Sequence, residues 1–356
     1  MELIDETIAA IEPIDTQAAA RAAARLDSLT KPQGSLGDLE EIVKRYAAIR
    51  RDPQAAFGRG AITVFVADHG IADSGVSAYP KAVTTEMLRN IASGGAAISV
   101  LARRLDFELM VTDVGVETDT SESALSGVAY RRVGAGTKNF LDGPAMSLDQ
   151  AREAIAVGIE TARHAVSRGA TLLGIGEMGI ANSTSAAAIL SAVTGIEPER
   201  LAGRGTGIDD ATMTRKIRVI EQALQLHREN LRNGVGTLAS VGGFEIAAMA
   251  GACLGCAAAS VPVVVDGFIA TAAAAAAERI RPHLFDYMFF GHRSSEGGHD
   301  LTLKALGVRP ILDLNMHLGE GTGAALAMSA IREALALFRE MATFQSASIS
   351  GPIKIK

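Results

Sequence analysis

ATLLGIGEMGIANSTSAAAIL, residues 170–190, combines three kinds of sequence in one continuous stretch. It begins with an apolar run, continues through a glycine-rich loop that carries one glutamate, and ends in an alanine-rich segment. An apolar run is typical of a strand covered on both faces, and alanine favours a helix. The stretch therefore predicts one strand–loop–helix unit of a parallel sheet.

The same unit recurs from residue 60 onward. The predicted strands are residues 61–70, 108–116, 170–179, 262–268, 286–292 and 310–316. Strands that alternate with helices predict an α/β fold with a parallel sheet and right-handed crossovers. Ligands of such sheets bind beyond the carboxyl ends of the strands, where this sequence places Asp68, His69, Asp113, Glu177, Asp266, His292 and Glu320.

The two ends of the chain differ from this pattern. Residues 4–26 have helical spacing and no strand signal, and residues 324–344 form a second long amphipathic pattern. We expect the termini to pack together as a small helical domain, residues 1–27 and 325–356. A large α/β domain, residues 28–324, would then carry the active site.

Composition excludes several classes of protein. The net charge of −6 and the pI near 5.7 leave no excess of positive charge for a nucleic-acid backbone. The first residues are acidic where a secretory signal would be basic, so we expect a cytoplasmic protein. Residues 246–265 are uncharged and of bilayer length, but their alanine and glycine content favours a packed helix that runs into a buried strand.

The two cysteines, Cys253 and Cys256, are spaced as C-x-x-C. This spacing is compatible with redox chemistry or half a zinc site, but no second pair and no nearby histidine completes such a site. We interpret both as small buried residues of a helix.

The glycine loop at residues 174–179 satisfies G-x-G-x-x-G and has three interpretations. A dinucleotide site would require a second strand ending in an acid about twenty residues later, whereas residues 194–210 are polar and loop-like. A site for a single phosphate, and glycines that only permit close helix packing, remain equally compatible with the loop.

Two further loops contain candidate residues. In residues 203–217, Lys216 follows a glycine-rich loop and could hold a phosphate, or could simply solvate a helix face. In residues 315–328, Glu320 stands between two glycines and before a helix that Thr322 could cap. Its carboxylate could be catalytic, or could be favourable charge at a helix N-terminus.

Residues 74–98 mix aromatic, apolar and acidic side chains, as a pocket for a flat aromatic ligand would. Tyr79, Glu86 and Met87 belong to this segment, although residues spaced like Met87 are more often core. The seven histidines show no H-x-x-x-H pair, so we expect no metal.

Several motifs together resemble one family, the nicotinate-nucleotide:dimethylbenzimidazole phosphoribosyltransferases, which build the lower-ligand nucleotide of cobalamin. The motifs are LTKPQGSLGDLE (29–40), ADHG (67–70), YPKAVTTEM (79–87), GIGEMGIANST (174–184), GRGTGID (203–209), GHRSSEGGH (291–299) and LGEGTGAALAM (318–328). The similarity covers residues 26–341 in register. It implies a doubly wound, mainly parallel sheet with helices on both faces, a small helical domain from both termini, and a homodimer.

The resemblance also implies roles for individual residues. Glu320 matches the general base of the family, and Glu177 resembles a second, assisting carboxylate. Nicotinate mononucleotide would be held by Gly176, Glu177, Met178, Gly179, Gly205 and Lys216. The benzimidazole would be held by Tyr79, Glu86, Met87 and Leu318, with Glu86 at a position where many members of the family have glutamine.

The implied reaction moves ribose 5-phosphate from nicotinate mononucleotide to 5,6-dimethylbenzimidazole or a related base, without a cofactor. Two alternatives come from other classes of protein. One is a nucleotide-binding sensor on the same sheet, which would have no need of Glu320. The other is an NAD-dependent oxidoreductase based on G-x-G-x-x-G. Small-molecule substrates, and neither nucleic acid nor membrane, are the partners that the sequence predicts.

Overall fold

The core of the protein is a parallel β-sheet, seen in a computed structural model that describes residues 2–54, 56–120, 125–205 and 207–350. Within these ranges the strands are β1 (Arg59–Ala67), β2 (Glu108–Gly115), β3 (Val128–Tyr130), β4 (Ala170–Met178), β5 (Val263–Val265), β6 (Met288–His292) and β7 (Pro310–Leu312). All neighbouring strands pair in parallel, in the order β3-β2-β1-β4-β5-β6-β7. The predicted α/β class with a parallel sheet is therefore confirmed.

Helices connect and cover the strands. They are α1 (Glu2–Ala9), α2 (Thr16–Ser28), α3 (Asp38–Arg50), α4 (Ala82–Ala92), α5 (Ala97–Leu105), α6 (Leu148–Ser167), α7 (Asn182–Thr194), α8 (Pro198–Leu201), α9 (Asp210–Leu226), α10 (Gly234–Val241), α11 (Phe244–Ala258), α12 (Phe268–Ile280), α13 (His299–Ala305) and α14 (Thr322–Glu340). Strand β1 is buried after its first residue, as expected of a central strand covered on both faces.

The sheet edge β3 is the one strand that the sequence did not predict. Its three residues are exposed or half-buried, so they provide no apolar run to recognise. The chain leaves β1 for β2 and β3 on one side and reaches β4 on the other side of β1. The strand order therefore reverses between β1 and β4, and this is where open α/β sheets form a ligand crevice.

The uncharged segment near residue 250 is a packed helix, as predicted. Every residue of α11 up to Ala257 is buried, and the chain continues into the buried strand β5. Cys253 and Cys256 lie inside this helix, and burial raises the pKa of the Cys253 thiol to about 12. No helix in the described ranges is long and apolar enough to span a membrane.

Helices α6 and α11 cross with their backbones in contact. A Cβ atom on Gly158 would overlap the carbonyl oxygen of Ala248, and one on Gly251 would overlap the carbonyl oxygen of Ile155. Both glycines lie within helices, where alanine is normally the more stable residue. Their presence is therefore explained by the close approach of the two helices over the sheet.

Substitution of Gly158 by alanine tests this packing. Helix propensity alone would stabilise the variant by about 0.5–1 kcal/mol. Overlap with a backbone carbonyl instead predicts a net loss of about 1–3 kcal/mol, the usual scale of overpacking. Urea unfolding measures the difference, and Ala156→Gly on the same helix calibrates the propensity contribution. A Gly158→Ala variant as stable as the parent would contradict the close crossing.

The terminal segments meet, but not as single helices. Residues 4–26 form two helices, α1 and α2, separated by an irregular segment that contains Pro13. Arg25 of α2 donates hydrogen bonds to the carbonyls of Phe338 and Arg339, near the end of α14. Helix α1 packs on α6 and α11, and α14 also packs on the sheet. The division at residues 1–27, 28–324 and 325–356 stays a prediction.

Candidate active site

A cavity of about 1110 Å³ opens at the carboxyl ends of β4, β5 and β6. Its walls come from the β4–α7 turn, the loop before α9, and the segments that follow β5, β6 and β7. Seven of the eleven residues predicted for the site lie on these walls: Tyr79, Glu177, Met178, Gly179, Gly205, Lys216 and Leu318.

One end of the cavity, here called the lysine end, is formed by Ser183, Gly203, Gly205, Lys216 and Glu296. The ammonium group of Lys216 is buried and donates to Ser183 Oγ and to the Gly203 carbonyl, both at 2.9 Å. Burial lowers the pKa of Lys216 to about 8, against the opposing effect of the Glu296 charge. The alternative in which Lys216 solvates a helix face is therefore wrong.

The N-terminus of α7 also faces this cavity. The turn from β4 passes through Ala181, which has a left-handed backbone (φ 73°), and Asn182 and Ser183 begin the helix on the cavity wall. A helix N-terminus carries partial positive charge and suits an anionic ligand. Ser183 and Asn182 were not singled out from the sequence, because small polar residues at a helix start are ordinary capping residues.

A second group of wall residues, here called the carboxylate end, consists of Glu177, Asp266, Leu318 and Gly319. Glu320 follows Gly319 in the chain, is only 5% exposed, and does not itself line the cavity. Gly319, Glu320 and Gly321 all have left-handed backbones, with φ values of 88°, 61° and 87°. A non-glycine residue in this region is uncommon, and such strain concentrates at functional sites.

Two contacts determine this turn. A Cβ atom on Gly176 would overlap the backbone of Gly321, so Gly176 lets the turn lie directly on β4. The carboxylate of Asp266 accepts hydrogen bonds from the backbone N–H groups of Gly321 (3.0 Å) and Ala324 (2.8 Å). Gly176 therefore lies beneath the cavity wall and shapes the site through the turn.

The predicted cap of α14 is wrong. Thr322 donates its hydroxyl proton to the Gly319 carbonyl (2.8 Å), and the Asp266 carboxylate accepts from the first turn of the helix instead. Asp266 is distant in sequence, so no local pattern could have identified it as the cap. Its position at the end of β5 brings the carboxylate under the helix start.

The Glu320 carboxylate contacts a second helix. Its Oε2 atom accepts from the Ile98 N–H group at 3.4 Å, in the first turn of α5. Burial raises the pKa of Glu320, the Ile98 N–H group opposes that rise, and the negative charge of Asp266 adds to it. A carboxyl whose pKa moves upward is a better proton acceptor in its ionised form, as a general base requires.

Glu177 lies in the most negative part of the site. Burial and the charges of Glu245, Asp266 and Glu320 raise its pKa to about 8, and a hydrogen bond donated by the Asn182 amide opposes the rise. At neutral pH Glu177 is therefore protonated. Its Oε1 atom lies so close to Gly319 that a Cβ atom there would be 2.6 Å away.

His292 is a further polar side chain on the cavity wall. Neither of its ring nitrogens has a hydrogen-bond partner within the described part of the chain, although Nδ1 lies 3.8 Å from Asp266 Oδ1. The ring fits between Gly267 and Gly323, where Cβ atoms would crowd it. His69, in contrast, is paired with Glu245 (2.6 Å) and Ser185 (3.0 Å). In the described ranges, no three His, Cys, Asp or Glu side chains form a metal site.

The predicted base-pocket residues are not all brought together. Tyr79 and Leu318 line the cavity with exposed side chains, 52% and 58% accessible. Glu86 is exposed on α4, and Met87 packs partly buried against the core, and neither lines the cavity. A flat ligand bound between Tyr79 and Leu318 would therefore contact Glu86 only if α4 and the ligand moved closer together.

The pKa of Glu177 predicts a pH-dependent stability. The folded protein keeps a proton that the unfolded chain, with its ordinary pKa of 4.5, loses. The contribution of Glu177 to stability therefore falls as the pH rises from about 4.5 to about 8. Glu177→Gln removes this dependence, so we expect its Tm advantage over the parent to widen between these pH values and to level off above them. Parallel Tm curves for the two proteins would contradict the assignment.

The fold and the cavity define a class of protein: parallel α/β proteins with a ligand cavity at the carboxyl edge of the sheet. A family profile described as Phosphoribosyltransferase matches residues 11–349. The chain belongs to this phosphoribosyltransferase family, and the resemblance noted from its motifs is confirmed.

Named relatives and a solved structure agree with this membership. A protein of Geotalea uraniireducens (strain Rf4) is 47% identical over 350 residues, which is 98% of this chain and 99% of the relative. One of Chloroflexus aggregans (strain MD-66 / DSM 9485) is 49% identical over 350 residues, with the same coverage. Both are named nicotinate-nucleotide–dimethylbenzimidazole phosphoribosyltransferase. The crystal structure of CobT from Thermus thermophilus is similar with a TM-score of 0.90 and 44% identity, covering 94% of this chain and 99% of that one.

Proposed function

We propose that this protein transfers ribose 5-phosphate from nicotinate mononucleotide to 5,6-dimethylbenzimidazole or a related base, giving the α-ribotide and nicotinate for cobalamin synthesis. One observation carries the proposal: a single cavity has a buried lysine at one end and buried carboxylates at the other. An anionic phosphate suits the first, and a base that must lose a proton suits the second. The names of the relatives support the same reaction.

The mononucleotide would bind with its phosphate at the lysine end. Lys216 would supply positive charge, Gly205 a backbone N–H group, and Met178 and Gly179 the adjoining wall, with Gly176 beneath it. Tyr79 and Leu318 would cover the faces of the benzimidazole, whereas the predicted contacts of Glu86 and Met87 would require α4 to move toward the ligand. The proposal needs no cofactor.

The reaction then requires one bond to form, one to break and one proton to move. A benzimidazole nitrogen attacks C1′ from the face opposite nicotinate, which inverts β to α. The C1′–N bond to nicotinate breaks, and its electron pair stays with the pyridine nitrogen of the departing nicotinate. Positive charge appears on the benzimidazole, whose second nitrogen gives its proton to Glu320.

The two glutamates would differ in protonation state and therefore in role. Burial and the negative charges of neighbouring carboxylates raise the pKa of Glu177 to about 8, so at neutral pH it adds no second full negative charge beside Glu320. It can instead donate a hydrogen bond. Environments that separate the pKa values of two neighbouring carboxyls are a common basis for assigning acid and base roles.

The two alternatives fit the site less well. After α7 the chain continues through α8 to α9, not into the second strand that a dinucleotide fold requires. A sensor would need the lysine end but not a strained glutamate beside the opposite wall. Incubation with nicotinate mononucleotide and a panel of benzimidazoles, purines and phenols distinguishes them. Nicotinate release with a ribotide of the expected mass supports the transferase, and binding without turnover would contradict it.

Glu320→Gln tests the general base. Glutamine keeps the size and one oxygen that can accept from Ile98, but it has no negative charge. We expect kcat to fall about a hundredfold or more, the scale of a positioned general base, while Tm is kept. A purely structural carboxylate predicts the reverse, a lower Tm with turnover kept in the folded fraction. Near-normal kcat would end the proposed role.

We also propose a homodimer that works in the cytoplasm. The membership of the family supports both statements. Sedimentation equilibrium of the purified protein tests the first, with twice the chain mass expected, and fractionation of the cells of its source tests the second.

A further inference from the structure

A glutamate occupies the lysine end of the cavity. Glu296 follows β6 in the loop before α13, and its side chain is almost fully buried on the cavity wall. Both of its carboxylate oxygens accept from the Gly205 N–H group, at 2.9 and 3.1 Å. An acid that lies among groups suited to an anion is unexpected, because it reduces the charge that attracts a phosphate.

The surrounding backbone is shaped around this carboxylate. A Cβ atom on Gly203 would overlap Glu296 Oε1, and the backbone N–H of Glu296 donates to Ser294 Oγ at 3.1 Å. Gly297, the next residue, has a left-handed backbone (φ 39°) and packs against the carbonyl of Leu201. The carboxylate is therefore held in place by two loops and does not reach the site by chance side-chain rotation.

Lys216 has no direct carboxylate partner. Within the described ranges, no carboxylate oxygen lies within 4.0 Å of its ammonium group, and its two hydrogen bonds go to a neutral hydroxyl and a neutral carbonyl. The negative charge of Glu296 nevertheless acts on it through space. The lysine end thus holds a buried cation, a carboxylate that forms no ion pair with it, and a backbone N–H group that donates to this carboxylate.

We propose that Glu296 is an internal anion that accepts from the backbone donor a phosphate would use, and that it competes with a phosphorylated ligand for this donor. The Gly205 N–H group can serve one anion at close range, and two like charges in a low-dielectric site repel. A phosphate must therefore displace Glu296 or bind beside it at a cost. The consequence is a limited phosphate affinity, which lets a phosphorylated product leave.

Inorganic phosphate is the probe for this competition, measured by titration calorimetry on the full chain. Glu296→Gln keeps the size of the side chain and an oxygen for Gly205, but it removes the charge. We expect this variant to bind phosphate at least about tenfold more tightly than the parent, the scale of one charge-assisted hydrogen bond. Lys216→Ala should weaken phosphate binding about tenfold or more in both backgrounds.

A matched control removes the same charge without touching the cavity. Glu199 is exposed on α8, just before the Gly203–Gly205 loop, and Glu199→Gln should leave phosphate affinity unchanged. Equal or weaker phosphate binding by Glu296→Gln would overturn the proposal, since Glu296 would then only brace the Gly203–Gly205 loop. Should that variant fail to fold, Glu296→Asp withdraws the carboxylate from Gly205, and unchanged affinity there would overturn the proposal equally.

The inference rests on the proposed function only in naming the natural ligand. For nicotinate mononucleotide we expect Glu296→Gln to lower KM by the same factor as the phosphate Kd. The two proposals can fail separately. If the parent protein does not turn over the mononucleotide but Glu296→Gln gains phosphate affinity, the proposed reaction is refuted and the proposed role of Glu296 is supported.

Discussion

The carboxylate of Asp266 holds the turn that places the proposed base. It accepts from Gly321 and Ala324 and so joins the end of β5, in the middle of the sheet, to the start of α14. Three successive left-handed residues, one of them Glu320, would not persist without such support, because a non-glycine residue in this conformation costs about 1–2 kcal/mol. Hydrogen bonds to a charged acceptor contribute about 1.5–3 kcal/mol each, enough to offset that cost. The position of Glu320 relative to the sheet therefore depends on a residue that does not itself need to react.

The Asp266 carboxylate also adds to a cluster of buried acids, and these acids differ in the groups that donate hydrogen bonds to them. Four buried acids, Glu177, Glu245, Asp266 and Glu320, lie near one another. Asp266 faces a helix N-terminus, Glu320 accepts from another helix, and Glu245 pairs with a buried histidine. Glu177 has only an amide donor, and burial together with the negative charges of the other three acids raises its pKa to about 8.

The sequence predicted what depends on local pattern and missed what depends on distant contacts. The run at 170–179 is almost identical to the observed strand Ala170–Met178, because a strand buried on both faces must be apolar throughout. The edge strand Val128–Tyr130 lacks such a pattern and was missed. Thr322 was a reasonable cap by local rules, but the actual cap comes from a residue 58 positions away in the chain. Glu296 lies within the motif GHRSSEGGH, but a glutamate in a polar loop gives no indication of its partner, and only the fold brings it to Gly205.

The two ends of the cavity match the charge distribution of the proposed substrate. Nicotinate mononucleotide carries a negative phosphate and a positive pyridinium ring joined through ribose, and the buried Lys216 suits the phosphate. During transfer the pyridinium loses its positive charge, and that charge passes through the ribose carbon to the attacking benzimidazole. A fixed negative group stabilises this movement only if it lies where the charge arrives, because stabilisation of the starting pyridinium would slow departure. The turn that Asp266 holds fixes the Glu320 backbone in place, and a proposed base that is fixed meets this requirement better than a flexible surface acid would.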